Sequence, residues 1–246
     1  MQLAAWVGLG LFGAASLVVG VRLRRLWART RQAPEPLAAT ALLGMGPLGF
    51  ALALPSPWVA NASPVLGDLM WATAAACLLT GTAAAYRFSQ VVFHPGNRGL
   101  RTAVWTIWAL LAICWFAELA TTGFAAGDSA GPAIRVTDWL RNSALLWGGW
   151  EALRHHALLR RRRAYGLADP EATRRVLYWG LAPGGAGLSS TVDATAKLIV
   201  EKAWEFPALT LLNAVVGTLS AIFLFLAFGR AVGATAAAQS FGNSTR

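Results

Sequence analysis

Residues 3–31 read LAAWVGLGLFGAASLVVGVRLRRLWARTR: no charge from Leu3 to Val21, then Arg22, Arg24, Arg25, Arg29 and Arg31. A run of about 20 apolar residues crosses the hydrocarbon core as a helix. Basic residues gather at its cytoplasmic end. The stretch therefore predicts a first membrane helix with its N-terminus outside. The leading MQLAA has no basic region and no clear cleavage site follows, so a retained helix is expected rather than a removed signal peptide.

The same alternation continues along the chain. Further spans are expected at about Leu37–Val59, Val65–Tyr86, Thr102–Ala126, Val136–Leu159, Arg175–Val200 and Phe206–Phe228. Arg87, Arg98 and Arg101 follow the third; Arg154, Arg160, Arg161, Arg162, Arg163, Arg174 and Arg175 flank the loop after the fifth; Arg230 and Arg246 follow the seventh. Only Arg135, Arg141, Lys197 and Lys202 fall on the other side. The prediction is an all-α polytopic membrane protein, a bundle of seven transmembrane helices over residues 1–232, with a cytoplasmic tail at 233–246. Its place is the bacterial cytoplasmic (inner) membrane, the Ala/Leu/Arg bias resembling a GC-rich bacterial coding sequence.

Composition agrees. The chain is 56% hydrophobic and 13% charged, whereas soluble domains carry about 25% charge. A net charge of +10 would suggest nucleic acid in a soluble chain. With the arginines confined to loops it reads as orientation, and no nucleic-acid partner is expected. The expected partners are the lipid bilayer, anionic headgroups at the basic loops, with Arg160–Arg163 the densest run, and other membrane subunits.

Chemical motifs are scarce. Cys77 and Cys114 lie in apolar segments without metal or redox spacing. Gly8-x-Gly10-x-x-Gly13 and Gly44-x-Gly46-x-x-Gly49 match a dinucleotide fingerprint, but no strand precedes them, so helix packing is the better reading. The last span has no Lys for a retinal Schiff base. His94, His155 and His156 lie at or beyond an inner edge, which disfavours haem ligation. No catalytic signature is present, and neither an enzyme nor a cofactor is expected.

Ionisable groups inside spans carry more information, because a charge at membrane depth usually serves a function. Asp68, Glu118, Asp138, Arg141, Asp193 and Lys197 come from four spans at similar outer depth. They are the ligand- or ion-binding candidates, against the alternatives of a structural network or interfacial snorkelling. Glu151 and His155 share a helix face and form a candidate relay, or an ion pair anchoring that helix. Pro183-Gly184-Gly185-Ala186-Gly187 is expected to interrupt the sixth helix, as a simple kink or, alternatively, as part of a binding site. The leading expectation is a receptor-like or accessory protein binding a ligand or partner through the outer polar cluster. One alternative is a proton-coupled carrier using Glu118, Asp193 and Lys197; another is a structural subunit.

Overall fold

A computed structural model of the chain describes residues 2–124, 131–199 and 207–228, with side chains except those of residues 2–6, 197 and 199. Among the described residues there is no strand. The helices are α1 (Gln2–Thr30), α2 (Pro34–Leu43), a π-helical turn (Gly44–Leu48), α3 (Gly49–Ala53), α4 (Ser56–Ala62), α5 (Pro64–Phe93), α6 (Arg98–Thr122), α7 (Pro132–Ala164), α8 (Pro170–Ile199) and α9 (Pro207–Phe228). Counting α2 to α4 as one interrupted rod, five segments are long and apolar enough to cross a membrane: Val7–Thr30, Pro34–Ala62, Pro64–Phe93, Arg98–Thr122 and Pro207–Phe228. α7 and α8 are as long but carry more charge. The expected tail at 233–246 lies outside the described residues.

Local chemistry sets the boundaries. Gly96, at φ +86°, turns the chain after α5, and Asn97 caps α6 by accepting from the Leu100 N–H at 3.0 Å. α7 ends at Gly166 (φ +72°), whose N–H and that of Leu167 close on the Arg163 and Arg162 carbonyls. Asp169 then caps α8, its two carboxylate oxygens accepting from Glu171 N (3.2 Å) and Ala172 N (2.9 Å), with Pro170 at the first helical position. Those two N–H groups hold the Asp169 carboxyl below the usual carboxylate range.

The segments form a ring. α1 packs on α2, α2 on α5, α5 on α7, α7 on α8, α8 on α9, and α9 closes back on α1. α6 stands outside, against α5 and α7. It is held by indole N–H bonds from Trp108 to the Ala83 carbonyl (2.8 Å) and from Trp115 to the Ala72 carbonyl (3.4 Å).

Glycines permit the closest approaches. A Cβ on Gly149 of α7 would lie 2.6 Å from the Gly184 Cα of α8, and one on Gly8 of α1 would lie 2.6 Å from the Ala214 carbonyl of α9. Gly44, Gly46 and Gly49 are all pressed against neighbours, whereas Gly10 and Gly13 face open space. Of the two fingerprint-like triplets, only the second packs throughout.

The expected interruption of the sixth span is corrected here. α8 is helical from Pro170 to Ile199, straight through Pro183. Gly180, Gly184 and Gly187 instead fit α8 tightly against Leu153, Gly149 and Leu145 of α7. The Ser220 hydroxyl of α9 donates to the Ala182 carbonyl beside the proline at 3.0 Å. Packing on two sides thus offsets the helix bond that Pro183 cannot donate. The break falls in the second span, expected as one helix over Leu37–Val59. There Gly46 leaves helical geometry (φ −93°, ψ −106°) and Pro47 follows. Ser16 of α1 presses on Gly46, where a Cβ would meet the Ser16 Cβ at 2.7 Å.

Candidate functional site

The ring encloses a cavity of about 400 Å³, within the size range of small-molecule sites. Its lining comes from all six ring segments. On α7 the lining positions include 138, 141, 142, 145 and 148; on α8, 179, 182, 186, 189, 190 and 193; on α9, 213, 216, 217, 220 and 224. Each set repeats every three or four residues, the spacing of one helix face.

The two ends of the cavity differ. Toward the ends of the helices where the arginines cluster, Phe12, Phe88, Trp179 and Leu224 line it. Phe88 meets Trp179 edge-on at 5.2 Å, and Trp179 meets Phe228 at 5.3 Å. Val19, Ala39 and Leu42 pack with this group, and Val19 and Ala39 are wholly buried. Toward the opposite end stand Asp138, Arg141, Asn142, Asp193 and Asn213. The Arg141 guanidinium lies 2.8 Å from the Asp138 carboxylate, and both remain partly exposed. The Ser189 hydroxyl donates to the Asn213 side-chain oxygen across α8 and α9. The cavity therefore has a polar end and an aromatic end.

Two lining groups have unmet hydrogen-bonding capacity. Asn142 is buried to 1% exposure, and neither its amide oxygen nor its amide nitrogen has a partner among the described residues. The Trp179 indole N–H is likewise buried and unpaired. An unsatisfied buried polar group costs roughly 1–3 kcal/mol, so such groups are retained where something else pairs with them.

The candidates from sequence divide accordingly. Asp138, Arg141 and Asp193 meet on the cavity wall. Lys197 lies one turn beyond Asp193 in α8, and its side chain is outside the described residues. Asp68 sits near the start of α5, half-buried and off the cavity. Glu118 is buried to 2% in α6, outside the ring, where its carboxylate accepts from the Thr122 hydroxyl at 2.7 Å and packs against Gly131. The four acids thus do not surround one pair of cations, because α6 is not part of the ring.

At the arginine-rich end, Glu151 is paired with Nε2 of His94, the residue that follows α5, at 3.1 Å and with Arg154 at 3.9 Å. His155 instead stands against the Phe93 ring at 6.0 Å. The pair within α7 is therefore a contact between helices, with His94 the partner that spacing along one helix does not reveal. Arg160, Arg161, Arg162 and Arg163 are all exposed at the end of α7. Asn142 and Asn213 were not among the candidates. The available signal was their helical spacing from Asp138 and Ser220 within otherwise apolar stretches. Compared with protein-family models, with curated proteins and with solved structures, the chain gives no significant match.

Proposed function

We propose that the chain is a seven-span protein of a bacterial cytoplasmic membrane, N-terminus outside, that acts as a receptor-like binder. It admits a small ligand into the central cavity from the outer side. α7 and α8 count as spans in this reading because Asp138, Arg141 and Asp193 line the cavity, Glu151 pairs with His94 and Arg154, and Arg160–Arg163, Arg174 and Arg175 stand at the arginine-rich end. The observation that carries the proposal is the asymmetry of the cavity, polar at one end and lined at the other by Phe88, Trp179 and Leu224. A carrier needs a path joining both faces, and neither Glu118 nor Glu151 lines the cavity. The exposed arginines at the other end suit contact with anionic headgroups.

Sided labelling tests this. In a Cys77→Ala, Cys114→Ala background, a membrane-impermeant thiol reagent added outside should modify Ser190→Cys and leave Arg163→Cys untouched. Reaction of Arg163→Cys from the outside would reverse the orientation. Failure of Ser190→Cys to react from either side of the folded protein would remove the pocket.

A further inference from the structure

We infer that the cavity takes a molecule with an amide-type edge, an N–H beside a C=O, on an apolar body, and that Asn142 of α7 is the residue that pairs with this edge. This rests on the pocket reading above and adds the chemical class of the occupant. Asn142 borders the cavity on the α7 face, as do Asp138 and Leu145 on either side of it. It is 1% exposed, and neither its amide oxygen nor its amide nitrogen has a hydrogen-bond partner among the described residues. A carboxamide donates through its nitrogen and accepts through its oxygen. Both functions are unmet here, so the complementary group must donate and accept at once.

Simpler groups fail on that count. An ammonium group only donates, which leaves the Asn142 nitrogen unmet. A carboxylate only accepts, which leaves the oxygen unmet. A hydroxyl has both functions on one atom, so it cannot align well with two atoms that lie side by side. A primary amide or a lactam presents an N–H and a C=O at the same spacing as Asn142 itself and forms two near-linear bonds of about 2.9 Å. This pairing is neutral on both sides, so it does not depend on how the charges of Asp138, Arg141 and Asp193 are balanced. Both amide atoms of Asn142 lie out of contact with open space. The side chain therefore turns toward the cavity to meet the ligand, and it has no hydrogen bond to break in doing so. Most of the remaining wall is apolar, with Phe12, Leu42, Phe88 and Leu224 toward the aromatic end. An alkyl or ring body placed there leaves water for apolar surroundings, which favours binding.

The test uses the full chain in nanodiscs of zwitterionic lipid, as Ser190→Cys in the Cys77→Ala, Cys114→Ala background. Its rate of modification by a small neutral thiol reagent is followed against rising octanamide. The same is done with N,N-dimethyloctanamide (acceptor only), octylammonium (donor only) and octanol. Each half-protecting concentration is corrected for partition into lipid, measured on nanodiscs without protein. Octanamide should protect at about tenfold lower concentration than the other three, the worth of one hydrogen bond. Asn142→Leu should bring the four together, whereas Asn142→Gln keeps both functions and should keep octanamide ahead. The comparison of probes on the parent protein stands even where a variant fails to fold. No protection by octanamide, protection by another probe at an equal or lower concentration, or a preference that survives Asn142→Leu would overturn the amide edge and leave the pocket. No reaction of Ser190→Cys before unfolding, and full reaction after it, would overturn the pocket itself.

Discussion

α6 and the α7–α8 pair carry their polar residues in opposite ways. α6 is apolar on nearly every side, and Ile113, Phe116 and Leu119 are exposed. Its buried residues, Val104, Leu111, Cys114 and Glu118, form one narrow stripe. α7 and α8 carry more charge than α6, yet they approach each other at Gly149 and Gly184 with no room for a Cβ on Gly149. They also contribute Asp138, Arg141, Asn142 and Asp193 to the cavity. The difference teaches that hydropathy picks out α6, which lies outside the ring, and passes over α7 and α8, which supply the charged residues of the cavity.

The comparison can be broken most forcefully at the glycine contact. Gly149→Leu should wedge α7 from α8 and destabilise the protein by about 3 kcal/mol, the upper range for overpacking. Ala112→Leu on the exposed face of α6 should stay within about 0.5 kcal/mol. Thermal unfolding in one detergent measures both, and equal effects would erase the distinction. A smaller change is expected where α6 attaches. Trp108→Phe removes the bond to the Ala83 carbonyl and should cost about 1 kcal/mol, with α7 and α8 still protected in hydrogen exchange.

Asn142→Leu sharpens the comparison by its sign. If the amide is kept for a ligand, an apolar residue of similar size should stabilise the empty protein by about 1 kcal/mol. That corresponds to a rise of about 2–4 °C in Tm. A lower Tm would mean that Asn142 serves the fold. The smallest effect concerns the α7–α8 turn. Its folded pKa being depressed, the Asp169 carboxylate adds stability above its unfolded pKa of about 3.9. That stability is lost as pH falls through the lower folded value. Asp169→Leu should therefore flatten the dependence of Tm on pH below about 4, and an unchanged slope would exclude the cap as its source.

Much of the framework was readable from residues alone, because each span satisfies its own backbone and its apolar length is a local property. The caps at Asn97 and Asp169 and the turn at Gly166 are local in the same way. The site was only half legible. Asp138 and Arg141 are one turn apart in a single helix, so their pairing follows from spacing. That Asp193 joins them depends on the packing of α7 against α8. That Glu118 does not join them depends on α6 lying outside the ring. The misplaced helix break has the same cause: Pro47 and Pro183 look alike in sequence, but α7 and α9 support Pro183 from two sides.

The sequence by itself determined an all-helical chain of long apolar segments with its arginines collected at alternate loops, since hydropathy and charge act residue by residue. Only the tertiary structure decided which helices close the ring, which acids face the cavity and which end of it is aromatic. Those outcomes depend on contacts between residues far apart in the chain, chiefly glycine against glycine and aromatic against aromatic, whose partners no single segment specifies.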